Sequence, residues 1–245
     1  MISVALAYYN GGKYIEKQLY SILGQLGPED EIVLSVDRAS DGSAELLERM
    51  ARDDGRIRLL EGPGLGVVKN FEYAISACRG EIILLSDQDD LWNENKVKKV
   101  MRVFDNSGVD VVLHNAELID ADEVLQCGAT MFDYRQSRTG LLKNLLKNSY
   151  VGCCMAFRSR IRPVILPIPD SMYMHDYWIG TAGEMLGGTG LLRECLIRYR
   201  RHEENVTEMK HGSVAFMIKK RISMLRCLRI LKKRVRVFCR EQNNL

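Results

Sequence analysis

The first hundred residues alternate short apolar runs with segments of helical spacing, and no other feature restricts the fold as much. Residues 2–7, 31–36, 57–60 and 81–85 are strand-length and dominated by Val, Ile, Leu and Ala. Between them, residues 13–26, 43–52 and 67–78 carry helical spacing; in the first of these Tyr14, Leu19, Ile22 and Leu23 are apolar. Gly27-Pro28 and Gly62-Pro63-Gly64 break the chain, and Asp41 or Ser43 is suited to cap the second helix. Alternation of this kind predicts an α/β fold, with parallel strands and helices on both faces. Ligands of such sheets bind outside the carboxyl ends of the strands. Polar clusters fall at those ends: Tyr8-Tyr9-Asn10, Asp37, and Asp87 through Asp90.

The second half is less regular. Residues 110–113 read as a strand, 117–125 as a hairpin-like segment, 141–146 as a short helix and 152–157 as an apolar strand. Pro163, Pro167 and Pro169 mark a loop leading to Met174-His175-Asp176-Tyr177-Trp178. The chain has 245 residues, 46% hydrophobic and 27% charged, which suits a globular domain with an appendage. No run of 18 apolar residues predicts a membrane-spanning helix. The opening apolar run lacks a basic flank and is short for a signal peptide, so the expected location is the cytoplasm. Seven scattered cysteines, without a CxxC pair, read as small buried hydrophobes rather than a zinc site.

The strongest chemical signal is Ser86-Asp87-Gln88-Asp89-Asp90-Leu91-Trp92. Three carboxylates within four residues repel one another, and crowding them costs free energy unless a cation lies among them. Carboxylate oxygens suit Mg²⁺ or Mn²⁺, which typically bridge protein carboxylates to substrate phosphates. The alternative is a solvated loop capping a helix that starts near Glu94.

The Ser-Asp-Gln-Asp-Asp-x-Trp stretch resembles the DxD region of family 2 glycosyltransferases, in the form seen in rhamnosyltransferase-like members. The resemblance implies a GT-A fold: a Rossmann-like, mostly parallel central sheet flanked by helices. It also implies that Asp87 contacts the ribose, Asp89 ligates the metal, and Asp90 and Trp92 support the site. Residues 7–14 resemble the opening nucleotide-binding strand and loop, with Ala7 and Tyr9 toward the nucleotide. Asp37-Arg38-Ala39-Ser40-Asp41 resembles the second acidic motif, which gives Asp37 a contact to the base. In Gly64 to Phe71, which resembles a segment near the nucleotide, Lys69 would face the diphosphate. Met174 to Trp178 resembles the catalytic motif, with Asp176 as general base beside His175. Gly152 to Phe157, including Cys153, resembles the acceptor-side strand. Tyr199-Arg200-Arg201-His202-Glu203-Glu204-Asn205-Val206 resembles the closing element, where Arg201 would balance the diphosphate and His202 would approach the metal.

Together these imply an inverting transferase domain over residues 1–210, with a nucleotide-binding half (1–100) and an acceptor half (101–210). Its donor would be a dTDP- or UDP-linked sugar, rhamnose or another hexose, and its acceptor a glycan or lipid-linked hydroxyl. A noncatalytic nucleotide-sugar-binding module of the same fold is the alternative. Residues 211–245 form a basic tail in which Met224, Leu228, Leu231, Val235 and Phe238 oppose Arg226, Arg229, Lys233, Arg236 and Arg240 on a helix. Such a helix can lie on an anionic membrane surface at the inner face of the cell membrane, or pack on the domain or a second subunit as a homodimer. Nucleic acid is not expected as a partner, because only Phe238 offers stacking among the cations.

Overall fold

The computed structural model describes residues 1–126, 128–201 and 214–242, with the backbone alone over 214–222. The first half builds as the alternation predicts. Strand β1 (Ile2–Tyr8) leads to helix α1 (Ile15–Leu23), β2 (Glu31–Val36), α2 (Ala44–Asp53), β3 (Ile57–Glu61), α3 (Val67–Ala77) and β4 (Ile82–Ser86). Then follow β5 (Leu91–Trp92), α4 (Lys96–Asn106), β6 (Val111–Ile119), α5 (Met131–Arg135) and α6 (Leu141–Leu146). The chain ends with β7 (Met155–Arg158), α7 (Arg162–Ile165), α8 (His175–Leu186), β8 (Thr189–Arg200) and α9 (Val214–Gln242).

All eight strands form one sheet in the order β3-β2-β1-β4-β7-β6-β8-β5. The β3-β2-β1-β4 half is wholly parallel. Strand β7 runs antiparallel to both β4 and β6, and β8 is parallel to β6. The strands are buried on both faces: Val4, Leu6, Ile32, Leu34 and Leu84 belong to one core, and Ala5, Val33, Ile83 and Leu85 to the other. Continuous apolar runs without alternation have this cause.

Three local readings change. The expected strand at 152–157 splits into a 3₁₀ turn, Gly152–Cys154, followed by β7, and the turn sets Cys153 beside Asp87 and Asp90. The hairpin-like segment reduces to the end of β6 and one antiparallel bridge, Ile119 to Leu125. The proline-marked loop opens with the short helix α7, and α8 begins at His175. Ser43 precedes α2 without a side-chain cap; its N–H instead donates to Asp41 Oδ1 at 3.2 Å.

The tail helix packs on the domain. Met224, Cys227, Leu231 and Val235 are buried in the core shared with α7 and α8. Arg234 donates to the carbonyls of Val164 and Pro167. Of the occupants expected for the apolar stripe, the domain itself covers it, while Arg226, Arg229, Lys233, Arg236 and Arg240 stay exposed. No helix among the described residues is long and apolar enough to cross a membrane.

Candidate active site

The carboxyl ends of β1, β2 and β4 meet at one edge of the parallel half. Tyr9 follows β1, 61% exposed, and its backbone is held from across the sheet. Its N–H donates to Gln88 Oε1 at 2.7 Å, and Gln88 Nε2 donates to its carbonyl at 2.8 Å. Gly11 permits this contact, since a Cβ there would lie 2.5 Å from Gln88 Cδ. Buried Asp37 accepts from the N–H of Gly64 at 2.8 Å and so ties the end of β2 to the loop before α3. Ala7, half-buried in β1, pairs with Ser35. Asp41 accepts from the Gly12 N–H at 2.8 Å and from the Tyr8 hydroxyl at 2.9 Å. Burial raises its pKa, but hydrogen bonds from Ser43, Gly12 and Tyr8 outweigh that and hold it at about 2.

The carboxylate cluster lies just beyond β4. Donor atoms of Asp87, Asp90 and Cys153 lie within 4.8 Å of one another. Asp87 is half-buried; burial, then the charges of Asp89 and Asp176, push it up to about 7. Asp90 is 1% exposed, and burial followed by the charges of Asp89 and Asp87 raises it well above the carboxylate range. Its Oδ1 accepts from the Arg200 N–H at 3.0 Å, while its buried Oδ2 has no hydrogen-bond partner among the described residues. Carboxyls raised by crowding, together with an unpartnered buried oxygen, fit a divalent cation, which would supply the missing partner and stabilise the ionised forms. Half-buried Asp89 stands outside this trio, though its charge acts on both aspartates.

Four residues that the sequence did not single out hold this cluster in place. Arg200, 1% exposed, donates from Nε to the Asp89 carbonyl at 2.8 Å and from Nη1 to the carbonyls of Asp120 and Ala121. Gln18 on α1 donates to Ser86 Oγ at 2.7 Å and to the Asp87 carbonyl at 3.0 Å. Lys96 is fully buried, lies 3.8 Å from the centre of the Trp92 ring and donates to the Cys153 carbonyl at 3.2 Å. Burial lowers its pKa to about 8, against the opposing pull of Cys154, Cys153, Asp90 and Asp87. Gln88 is the fourth. The signal for Arg200 lay in the sequence beside Arg201, but only the register of β8 tells which arginine points inward.

Asp176 enters from the other half of the domain, in the first turn of α8. It is 7% exposed, and burial pushes it up to about 6 against the Tyr177 N–H and the charge of Arg135. Its charge is felt by Asp87, and a Cβ on Gly152, next to Cys153 of the trio, would lie 3.8 Å from its own Cβ, so the Asp176 carboxyl stands near the carboxylate cluster. His175 stacks on Phe71, ring centres 4.0 Å apart, and burial lowers it to about 3, which keeps the imidazole neutral. Gly152 leaves room for it, since a Cβ there would lie 2.8 Å from His175 Nε2.

Lys69, on α3, has its own set of partners. Its ammonium binds Glu72 at 2.9 Å, Asp170 at 2.8 Å and the Ile168 carbonyl at 2.9 Å. The Arg201 N–H donates to the Ile119 carbonyl, continuing the β6–β8 edge. The metal role expected of His202 falls outside the described residues.

A parallel half-sheet with carboxylates beyond its fourth strand and a buried aspartate facing them defines a GT-A-type α/β domain. In agreement, Staphylococcus aureus TarS residues 1–349, solved with UDP-GlcNAc, superposes with a TM-score of 0.69 at 20% identity, covering 91% of this chain and 65% of that one. The profile of "Glycosyl transferase family 2" matches residues 3–164, and the chain belongs to that family. An uncharacterized glycosyltransferase of Nostoc sp. is 26% identical over 212 residues, 83% of this chain and 66% of its own. TuaG of Bacillus subtilis, named for teichuronic acid biosynthesis, is 24% identical over 216 residues, 86% of this chain and 82% of its own. The chain thus spans about two thirds of the length of the first of these relatives and of the solved TarS chain.

Proposed function

We propose that the protein is an inverting glycosyltransferase that moves a sugar from a nucleoside-diphosphate donor to a hydroxyl of a cell-surface glycan or its lipid-linked precursor. The observation that supports this reading is the nearness of buried Asp176 to the carboxylate cluster, through Gly152 and Cys153 between them. A binding module would need the carboxylate cluster but no second, separately buried carboxyl raised to about 6. Asp37 and Asp87 bind the nucleoside, on the strand ends where α/β ligands sit. Asp89, with Asp87 and Asp90, holds a divalent cation, Mg²⁺ or Mn²⁺, which when bound neutralises charge on the donor diphosphate. Asp176 accepts the proton of the acceptor hydroxyl as that oxygen attacks the anomeric carbon. The UDP-GlcNAc bound by TarS supports a UDP-linked donor, the family resemblance favours dTDP-rhamnose, and the naming of TuaG supports a surface-polysaccharide acceptor.

The exposed cations of α9 support attachment to an anionic membrane by electrostatics, each cation contributing about 1 kcal/mol near such a surface. The deciding experiment is a screen of UDP- and dTDP-sugars for binding and transfer, with Asp176→Asn beside the wild type. We expect the variant to bind donor normally and to lose about 10²–10⁴-fold in turnover, the usual worth of a general base. Wild-type turnover in the variant would remove Asp176 as the base, whereas donor binding without transfer by the wild type would leave only a binding module.

A further inference from the structure

The end of β2 carries a guanidinium that no contact among the described residues employs. Arg38 follows Asp37 just beyond β2 and is exposed, with no hydrogen bond or ion pair there. Its side chain lies along the loop before α3: a Cβ on Gly64 would lie 2.8 Å from Arg38 Nε and 3.2 Å from Cζ. Only the bare backbone of Gly64 lets the guanidinium rest so close. The frame beneath it is stiff. The Asp37 N–H donates to the Tyr8 carbonyl at 2.9 Å, and the Gly62 N–H to the Val36 carbonyl at 2.8 Å. Asn70 donates to the carbonyls of Tyr8 and Ser35 at 3.3 and 3.1 Å. The ends of β1, β2 and β3 are thereby tied together around Asp37. Asp37 gives Oδ1 to the Gly64 N–H and leaves Oδ2 for another donor. A group that only accepts is thus followed in the chain by one that only donates.

That pair has the polarity of one kind of base edge. Uracil and thymine present an imide N–H flanked by carbonyl oxygens, whereas cytosine and adenine present an amine donor beside a ring nitrogen that accepts. A carboxylate suits the imide N–H, and a guanidinium suits the neighbouring carbonyl. Against cytosine or adenine the same two groups would set donor on donor and acceptor on acceptor. Arg38 also stands at the correct end of the site for this task. In the sheet β1 lies between β2 and β4, so the carboxylate cluster beyond β4 is two strand spacings away, roughly 10 Å. We propose that Arg38 is a specificity-determining residue that donates to a carbonyl oxygen of the donor's base and so selects uracil or thymine over cytosine and adenine. The inference rests on the base contact given above to Asp37.

The test is calorimetric titration of the full chain with UDP, dTDP, CDP and ADP in the presence of Mn²⁺, for the wild type, Arg38→Ala and Arg38→Glu. The wild type should bind UDP and dTDP more tightly than CDP and ADP. In Arg38→Ala, affinity for UDP and dTDP should fall about 10–100-fold, the usual worth of a hydrogen bond to a charged group, while the weak binding of CDP and ADP stays as it was. Arg38→Glu replaces the donor by an acceptor, so the ratio of UDP to CDP affinity should fall further. Both substitutions are at an exposed side chain, and an unchanged melting temperature confirms that the fold is intact. An equal fall for all four nucleotides would place Arg38 on the phosphates or ribose and overturn the proposal. An unchanged UDP-to-CDP ratio in both variants would overturn it too, and UDP binding that is still lost in Asp37→Ala would leave the transferase reading standing. If the wild type binds none of the four, both fail.

Discussion

The side-chain amide of Gln88 spans the backbone of Tyr9, accepting from its N–H at 2.7 Å and donating to its carbonyl at 2.8 Å. This mimics a strand pair where β1 and β4 have already ended. It fixes the loop after β1, proposed to face the nucleotide, against the loop that carries the carboxylates. Gln88→Ala removes both bonds, and Gln88→Glu removes only the donor. A net hydrogen bond contributes about 0.5–1.5 kcal/mol, so donor affinity should weaken by roughly tenfold in Gln88→Ala and less in Gln88→Glu, with melting temperature little changed. Calorimetric titration with the nucleotide checks it; equal affinities would mean that the loop is ordered by other contacts.

Asp176 and Arg135 predict the acid side of the pH profile. A base works only when ionised, so transfer should be full above its pKa and fall as pH drops through it. Burial raises Asp176 to about 6 although the Tyr177 N–H and the Arg135 charge pull it down. The acid limb of kcat/KM should therefore lie near pH 6 rather than near 4. Arg135→Gln removes one of the opposing influences, so the limb should move to higher pH. A limb unmoved by Arg135→Gln would remove the coupling; a limb near pH 4 would mean that Asp176 is better solvated than its burial indicates.

How far the sequence carried this reading differs between the two halves. In the first, apolar runs buried on both faces leave a signal that needs no tertiary context, and residues 31–36 are β2 as expected. The carboxylates were legible because like charges crowded at a strand end are unusual. The base proposed at Asp176 rests on family resemblance, because a His-Asp pair alone reads as a helix start, which it also is. The buried supports were not legible. Lys96 reads as one basic residue among several on α4, and its burial depends on Trp92 and Cys153 arriving from elsewhere. Lys69 matched a motif position, but its ion pair with Asp170, on a loop a hundred residues later, was not legible. The tail's two faces were read correctly, but amphipathicity does not say what the apolar face meets.

Arg200 shows the cost of such a hidden support. Its guanidinium reaches the carbonyls of Asp89, Asp120 and Ala121 and the Glu123 carboxylate, and lies over the Tyr14 ring with Cζ 4.6 Å from its centre. Arg200→Ala would leave several of these carbonyls without a donor, at about 1–3 kcal/mol for each buried group left unsatisfied. A loss of about 2–4 kcal/mol in urea unfolding is expected, together with weaker nucleotide binding, because the Asp89 backbone is released. Arg200→Lys should recover little, since one ammonium cannot reproduce the fork. If Arg201→Ala were instead the more damaging change, the inward side of β8 would be assigned to the wrong arginine.

Helix α9 separates stability from surface attachment on its two faces. Leu231 is fully buried between the helix and the domain, so Leu231→Ala should cost about 2–5 kcal/mol in urea unfolding, the usual range for a core leucine. Arg229 and Arg236 are exposed on the other face. Reversing both to Glu should leave unfolding nearly unchanged. Binding to vesicles containing phosphatidylserine should drop by more than about tenfold, since each cation near such a surface contributes about 1 kcal/mol and each reversal also adds repulsion. Flotation on vesicles at low and high salt measures it, and the difference should shrink as salt screens the charges. Equal flotation of the wild type and the double reversal would show that the basic face of α9 does not contact lipid.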